Sequence, residues 1–549
     1  MPRDTAGHNS PVRGDKDPEK PQDQPVHTGD LEQRPFSSFN LVGPSRLSYL
    51  SRLILTDNEP APHSYPASSW TQATNDDNLV QHLITLYFCW EYPVFASLSK
   101  EHFLLDFHNG NQRFCSPLLV NAILALGARY SDLPEARKFQ DVPSSAGDHF
   151  YEEAQRLLGY EDVPTLTKIQ ALGLMSLRQA SCGNDMSGWH LSRIAMRTAL
   201  DLGLHLADSQ DRRADRLLYS NPERQVSAAT FWGCYTLEQA WSLCVGREPQ
   251  VTPEEVLVHK PIKIDEIEHE HWRPYSDQGV DPDPTLHQPS NIRSVYKVFA
   301  ELAQLVHKTN LCLQSEDTQE ITLSVRALYT EHLQFYSSLP DALRLGRNST
   351  PPVLFAHIFY HFAVLLLFRP FFNTGIFDTV PVTRQICVEA TENILSLLKA
   401  YRNLYTLRRT PAFIPYIIMS AELARMADHK TRTEGREVYR TPSIRYLREL
   451  ALAHPFAVRA ILICKFFLDG WKLELAPEDD CDVPYALAKN EDGMALSHSV
   501  TFFRPDEDLE RHHTGLASSS PLSHQPASRL RFAPFPQQGA HLGSMGLGP

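Results

Sequence analysis

His357 and His361 stand four residues apart in an apolar run, a spacing that sets two imidazoles on one helix face where a metal could bridge them. A zinc site of the H-E-x-x-H kind also needs a glutamate between them, and here the neighbours are Phe, Ile, Tyr and Val. Packed histidines with local hydrogen bonds are therefore expected. Glu266-Ile-Glu-His-Glu-His-Trp272 is denser in metal-capable side chains. It reads as a mobile acidic loop, which would fix no ligand geometry. Nine cysteines lie at 89, 115, 182, 234, 244, 312, 387, 464 and 481, and no two of them are separated by only two residues. No thiolate pair can chelate from one turn, and the apolar surroundings suggest reduced, buried thiols of an intracellular protein. Ser176 and Ser187 have glycines nearby but lie outside any G-x-S-x-G elbow. No phosphate-cradling G-x-x-x-x-G-K-[ST] occurs, and Gly543-Ser-Met-Gly-Leu-Gly reads as a flexible tail. No catalytic residue, metal ligand or cofactor-binding residue is identified, and no enzyme is expected.

The elements that would hold these side chains are helices. Apolar residues recur at helical spacing over 79–90, 118–129, 148–158, 166–179 and 188–204, and again over 292–339, 352–372, 383–404, 410–427 and 454–475. The clearest segment runs from Val226 to Pro249. Thr230, Cys234, Leu237, Trp241 and Cys244 form one stripe at steps of four and three. Gly246 stands where a C-terminal cap belongs, and Pro249 stops the helix. Trp232 and Trp241 read as core. Arg247, in the turn, reads as a tie on the helix end. Residues 259–291 read as irregular, and no run alternates with period two. The class is all-α: one large helical domain over 77–475, between a disordered segment and linker (1–76) and a disordered tail (476–549).

Hydrophobic residues make up 42% of the 549, enough for a large core, while a net charge of −13 argues against the whole chain clinging to nucleic acid. Val353–Phe368 is the most apolar run, too short for a bilayer and interrupted by the two histidines, so a core helix and no membrane contact are expected. Met1-Pro-Arg-Asp opens a hydrophilic stretch without the apolar centre of a signal peptide. A basic run (Arg425, Lys430, Arg432, Arg436, Arg440, Arg445, Arg448) is diluted by Asp428, Glu434 and Glu437, and reads as a solvated face or as a nuclear-import or partner surface. The tail mixes acidic and aromatic residues at Glu478-Asp-Asp-Cys-Asp and Thr501–Glu510. Either it is plain solvated chain, or its charge keeps aromatic side chains available to a coactivator groove.

Five blocks in order carry a resemblance. The segment His82–Phe95 is similar to an opening "L-x-x-x-Y-F-x-x-x-H-P-x-F", and Phe114–Tyr130 to "S-P-x-L-L-x-A-I-x-A-x-G-A-R". Gly188–His205 resembles "W-x-x-x-G-x-A-x-R-x-A-x-D-L-G-L-H", Val226–Pro249 the helix ending "G-R-P-P", and Tyr360–Phe372 "Y-H-x-x-x-I-L-L-x-R-P-F". Together they resemble the fungal-specific transcription factor domain, the helical regulatory region of Zn2Cys6 zinc-cluster regulators. The nitrate-assimilation-activator type is the most similar subgroup. Phe39–Leu53 resembles the stretch that precedes this domain in the family.

The resemblance implies a nuclear regulator of RNA polymerase II transcription that forms homo- or heterodimers with zinc-cluster regulators, with small effectors entering an aromatic helical interior. The family's DNA-binding module, C-x2-C-x6-C followed by a second such set, has no counterpart in this sequence, so neither zinc nor direct DNA contact is expected of it. An exon missing from the gene model or isoform, a finger-less regulator that works through a partner, and DNA contact by some other part of the chain are the open explanations. The rival reading is a ligand-binding or scaffold protein acting through partner proteins.

Overall fold

A computed structural model of the chain describes residues 65–206, 221–261, 265–314, 318–372, 380–432 and 438–479. Helices begin where the sequence supplies caps. The Asp76 carboxylate accepts from the Asn78 and Leu79 amides to open α1 (Asp77–Trp90), and α2 (Lys100–Asn109) ends on a left-handed Gly110. Ser116 caps α3 (Pro117–Gly127), which packs on α4 (Asp148–Leu158). Thr165 caps α5 (Leu166–Cys182), which lies along α6 (Asp185–Asp201) in one of the most extensive contacts of the fold. Asn221, followed by Pro222, opens α7 (Pro222–Val245), and Gly246 at φ 64° closes it. The remaining helices of eight residues or more, among the described residues, are α8 (Ile292–Gln314), α9 (Thr318–Ser337), α10 (Pro351–Phe368), α11 (Val380–Tyr405), α12 (Ile414–Arg432), α13 (Ser443–Leu450) and α14 (Phe456–Gly470).

The all-α reading holds, and α7 touches α5, α6 and α8. All five residues of its stripe are buried, Thr230 and Trp241 completely. One large apolar core joins α1–α3 to α8 and α10–α14. A smaller one gathers Ile169, Met196, Phe231, Tyr235 and Ala303 where α5–α8 meet. Pro351–Phe371 is long and apolar enough to cross a membrane, but 89% of its most apolar window is buried inside the protein, as expected of a core helix.

Four departures from the sequence reading are physical. Helix α2 is short and charged, with only Phe103, Leu104 and Phe107 as apolar anchors in its core-facing turn. Helix α13 is similarly brief, held by Ile444, Leu447 and Leu450. The single run over 292–339 is two helices, α8 and α9. The stretch read as irregular, 259–291, holds short regular elements among its described residues: a four-residue helix at Asp265–Glu268, β1 (His271–Trp272) paired antiparallel with β4 (Gln288–Pro289), and β2 (Tyr275–Ser276) with β3 (Gly279–Val280). Two-residue strands are too short to show any periodicity.

Candidate functional site

The first half of α7 faces a void. A chamber of about 180 Å³ lies between this helix, the loop Glu91–Ser99, the start of α8 and parts of the segment His259–Arg273. Helix α7 lines it with Gln225, Ala228, Ala229, Trp232, Gly233 and Thr236, a stripe beside the packed one. The two alanines are too short to fill the space opposite Phe95 and Phe299. Gly233 is required, because a Cβ there would stand 2.3 Å from the Ser97 Cα in the facing loop. Indole N–H groups fasten the wall: Trp232 donates to the His259 carbonyl at 2.9 Å, and Trp272 to the Cys89 carbonyl at 3.0 Å.

One end of the chamber is charged. Lys100, the first residue of α2, sets its ammonium 5.4 Å from the Phe88 ring centre. Burial pulls this lysine below its ordinary pKa, partly offset by Glu101 and Glu270. For Glu101, burial pushes upward, but the Arg293 guanidinium, its own backbone N–H and the Ser99 hydroxyl outweigh it, and the carboxyl ends below its usual range. The Ser99 hydroxyl donates to Glu101 at 2.8 Å. Arg293 enters from the first turn of α8. Its backbone N–H donates to the Glu268 carboxylate at 2.8 Å, while its buried side-chain Nε has no hydrogen-bond partner among the described residues.

The loop rests on a buried ion pair. Arg129, from the Gly-Ala-Arg block, lies 3.1 Å from Glu91, with 2% and 0% of the two side chains exposed. The Tyr130 hydroxyl also donates to Glu91, and the Ala412 amide does so at 3.3 Å, which ties the chamber's loop to the approach to α12. A buried pair is sustained only by this kind of added hydrogen bonding.

The far half of α7 is packed solid. The Trp241 indole donates to the Ser176 hydroxyl at 2.7 Å, which in turn donates to the Gly188 carbonyl at 2.7 Å. A Cβ on Gly188 would fall 2.3 Å from the Trp241 ring, so glycine is what admits the indole. Ser176 is thus committed to packing, with no imidazole bonded to it, and Ser187 is exposed. Between the two halves, Glu238 accepts from the Gln250 amide and side chain, both at 3.0 Å, and burial raises its carboxyl to about 7.

Of the other sequence candidates, the Glu266–Trp272 cluster reaches the chamber. His357 meets the Tyr336 hydroxyl at 3.0 Å and the Leu343 carbonyl at 2.9 Å, and burial holds His361 down at about 4. Within Glu266–Trp272, Trp272 is buried, and Glu268 caps α8 while Glu270 and His271 line the chamber. Among the described residues, no three His, Cys, Asp or Glu side chains are grouped to hold a metal ion. The Arg247 guanidinium stacks over Trp189, 5.1 Å from the ring centre. Arg432 pairs with Asp428, and Arg440 with Glu478. Phe39–Leu53, Arg436, Cys481, Thr501–Glu510 and the Gly543 tail fall outside the described residues. Sequence reasoning placed Trp232 in the core, where it is 4% exposed, but missed that it also walls a void. Lys100 and Arg293 it did not single out, since nothing local marks them as neighbours.

This helical unit, with its Gly-Ala-Arg and Trp241 blocks seated in one core, carries a fungal specific transcription factor domain: residues 84–348 match the family model of that description. The chain is similar to the nitrogen assimilation transcription factor nirA of Emericella nidulans, 32% identical over 74% of this chain and 46% of the relative. It is also similar to the nitrogen assimilation transcription factor nit-4 of Neurospora crassa, 31% identical over 79% and 41%. An uncharacterized transcriptional regulatory protein of Schizosaccharomyces pombe is 24% identical over 71% of this chain and 65% of its own length. The chain thus spans about half the length of nirA and less of nit-4. No solved structure matches it.

Proposed function

We propose that this chain is a regulator of RNA polymerase II transcription in a fungus, working in the nucleus through its helical regulatory domain rather than through catalysis. The observation that carries this is the domain match over 84–348, together with relatives that are transcription regulators along most of the aligned chain. The nitrogen assimilation factors are the most similar of the three relatives compared, which supports a role in that kind of control. Its influence on promoters comes through partners: a zinc-cluster regulator that dimerises with it, or a coactivator that meets the acidic tail. With a net charge of −13 the chain itself has little to neutralise phosphates with.

The test fuses the full chain to a foreign DNA-binding domain and reads a nuclear reporter, beside a gel shift of the unfused chain on random and CGG-containing duplexes. The fusion should raise or lower transcription, and the unfused chain should leave the duplexes unshifted at physiological salt. A fusion with no effect in either direction would favour the scaffold reading. Tight, salt-sensitive binding by the unfused chain would overturn the partner route.

A further inference from the structure

A cation held away from water is costly unless an anion or a full set of hydrogen bonds compensates it. At the charged end of the chamber, two cations have that compensation only from beyond contact distance. Neither the Lys100 ammonium nor the Arg293 guanidinium has a carboxylate at ion-pair distance among the described residues, and the Arg293 Nε–H is buried with nothing to donate to. Glu101 is engaged by the Ser99 hydroxyl, and it acts on Arg293, and with Glu270 on Lys100, only from further off. Four basic side chains line the chamber (Lys100, Lys260, Arg273, Arg293) against two acidic ones (Glu101, Glu270), so the lining carries an excess of positive charge.

The rest of the lining is apolar and aromatic, including Phe95, Trp232 and Phe299. An apolar cavity of about 150 Å³ is known to hold benzene. A chamber of about 180 Å³ therefore has room for one substituted ring or a short branched chain, together with a head group. Binding sites of this kind combine an apolar body with a few convergent polar groups that fix orientation.

We propose that the chamber binds a small organic anion, its carboxylate held by Lys100 and Arg293 and its apolar body packed against Trp232, Phe95 and Phe299. Charge selects the head, and the space left by Ala228 and Ala229 selects the size of the body. Binding is measured without a promoter, so its failure leaves the transcriptional reading standing, and a silent reporter leaves the binding intact.

The experiment titrates the purified full chain with 3-phenylpropionate, its uncharged amide, 3-phenylpropylamine and inorganic phosphate, by calorimetry and by tryptophan fluorescence. The carboxylate should saturate with a Kd of about 10 mM or tighter, as a ligand of that size allows. It should bind about tenfold or more tightly than the amide, the amine or phosphate. Lys100→Met and Arg293→Met should each weaken the carboxylate about tenfold and erase its advantage over the amide. Ala228→Phe, which fills the chamber from α7, should abolish binding of the carboxylate and the amide alike. Circular dichroism and melting confirm that each variant is folded. Equal binding of carboxylate, amide and amine would overturn the proposal. So would phosphate binding as well as the carboxylate, no saturation by the carboxylate, or a carboxylate affinity untouched by both methionine variants.

Discussion

The two halves of α7 are built to opposite ends. Around Trp241 every space is filled: the indole is fully buried, its N–H is bonded to Ser176, and Gly188 makes room for the ring. Around Trp232 the same helix offers alanines to a void and two cations without close counter-ions. Protein interiors are normally as dense as organic crystals, so a void beside cations with no carboxylate in contact sets that half apart from the core. Packing at one end fixes the helix, and the space at the other is left for something the chain does not itself supply.

The sharpest way to break this contrast is Trp241→Ala. It should cost about 3–5 kcal/mol, read as a drop in the denaturant midpoint at unchanged slope. A midpoint that stays put would mean that the packed half is not core.

The next largest effect concerns Glu238, midway along the helix. Burial raises its carboxyl from 4.5 to about 7. Because the folded value lies above the unfolded one, the protonated carboxyl stabilises the fold. That contribution is complete below about pH 4.5 and is lost as pH rises through about 7. Glu238→Gln keeps the oxygen that accepts from Gln250 and removes the charge. It should match the wild type near pH 4.5 and exceed it by on the order of 3 kcal/mol near pH 8. Parallel stability curves would show that the carboxyl is solvated. His307 and His332, both held near 4 by burial, run the other way, destabilising the fold as pH falls below their ordinary range. The difference between variant and wild type isolates the glutamate.

Gly233→Ala sharpens the contrast at the chamber. A methyl there must displace the backbone at Ala96–Ser97, with the Ala96 carbonyl 2.6 Å away. The expected loss is about 1–3 kcal/mol, together with weaker carboxylate binding. A variant with wild-type stability and affinity would mean that the loop does not rest on α7. The smallest effect belongs to Arg293→Met without ligand. Removing a poorly compensated cation from the positive end of α8 should raise stability by up to about 1 kcal/mol. A clear loss instead would reveal a partner for the guanidinium.

How legible these two halves are from sequence follows from what each is made of. The packed stripe is a local pattern: Thr230, Cys234, Leu237, Trp241 and Cys244 show their spacing within one helix, and Gly246 marks its end. Chain-order blocks such as Phe114–Tyr130 and Gly188–His205 made the family legible as well. The chamber depends on residues that are absent from it, since an alanine in a helix reads the same whether or not a neighbour fills the space beside it. Its charges arrive from distant segments, Lys100 on a short helix with few apolar anchors and Arg293 in the first turn of the long helix α8. The Glu266–Trp272 cluster looked like a mobile acidic loop because its two roles, Glu268 as cap of α8 and Trp272 as anchor on Cys89, are both made with partners far away in sequence. Short-range periodicity reports packing, whereas a cavity is a property of the assembled fold.

Amide hydrogen exchange on the full chain, with and without saturating 3-phenylpropionate, tests the contrast most directly. Ligand binding slows opening of the elements it touches. The account predicts slower exchange in residues 91–99, in the first half of α7 and in the start of α8, with the Trp241 half already protected and unchanged. Uniform slowing along α7, or no change around the chamber at a concentration that saturates the fluorescence signal, would contradict it.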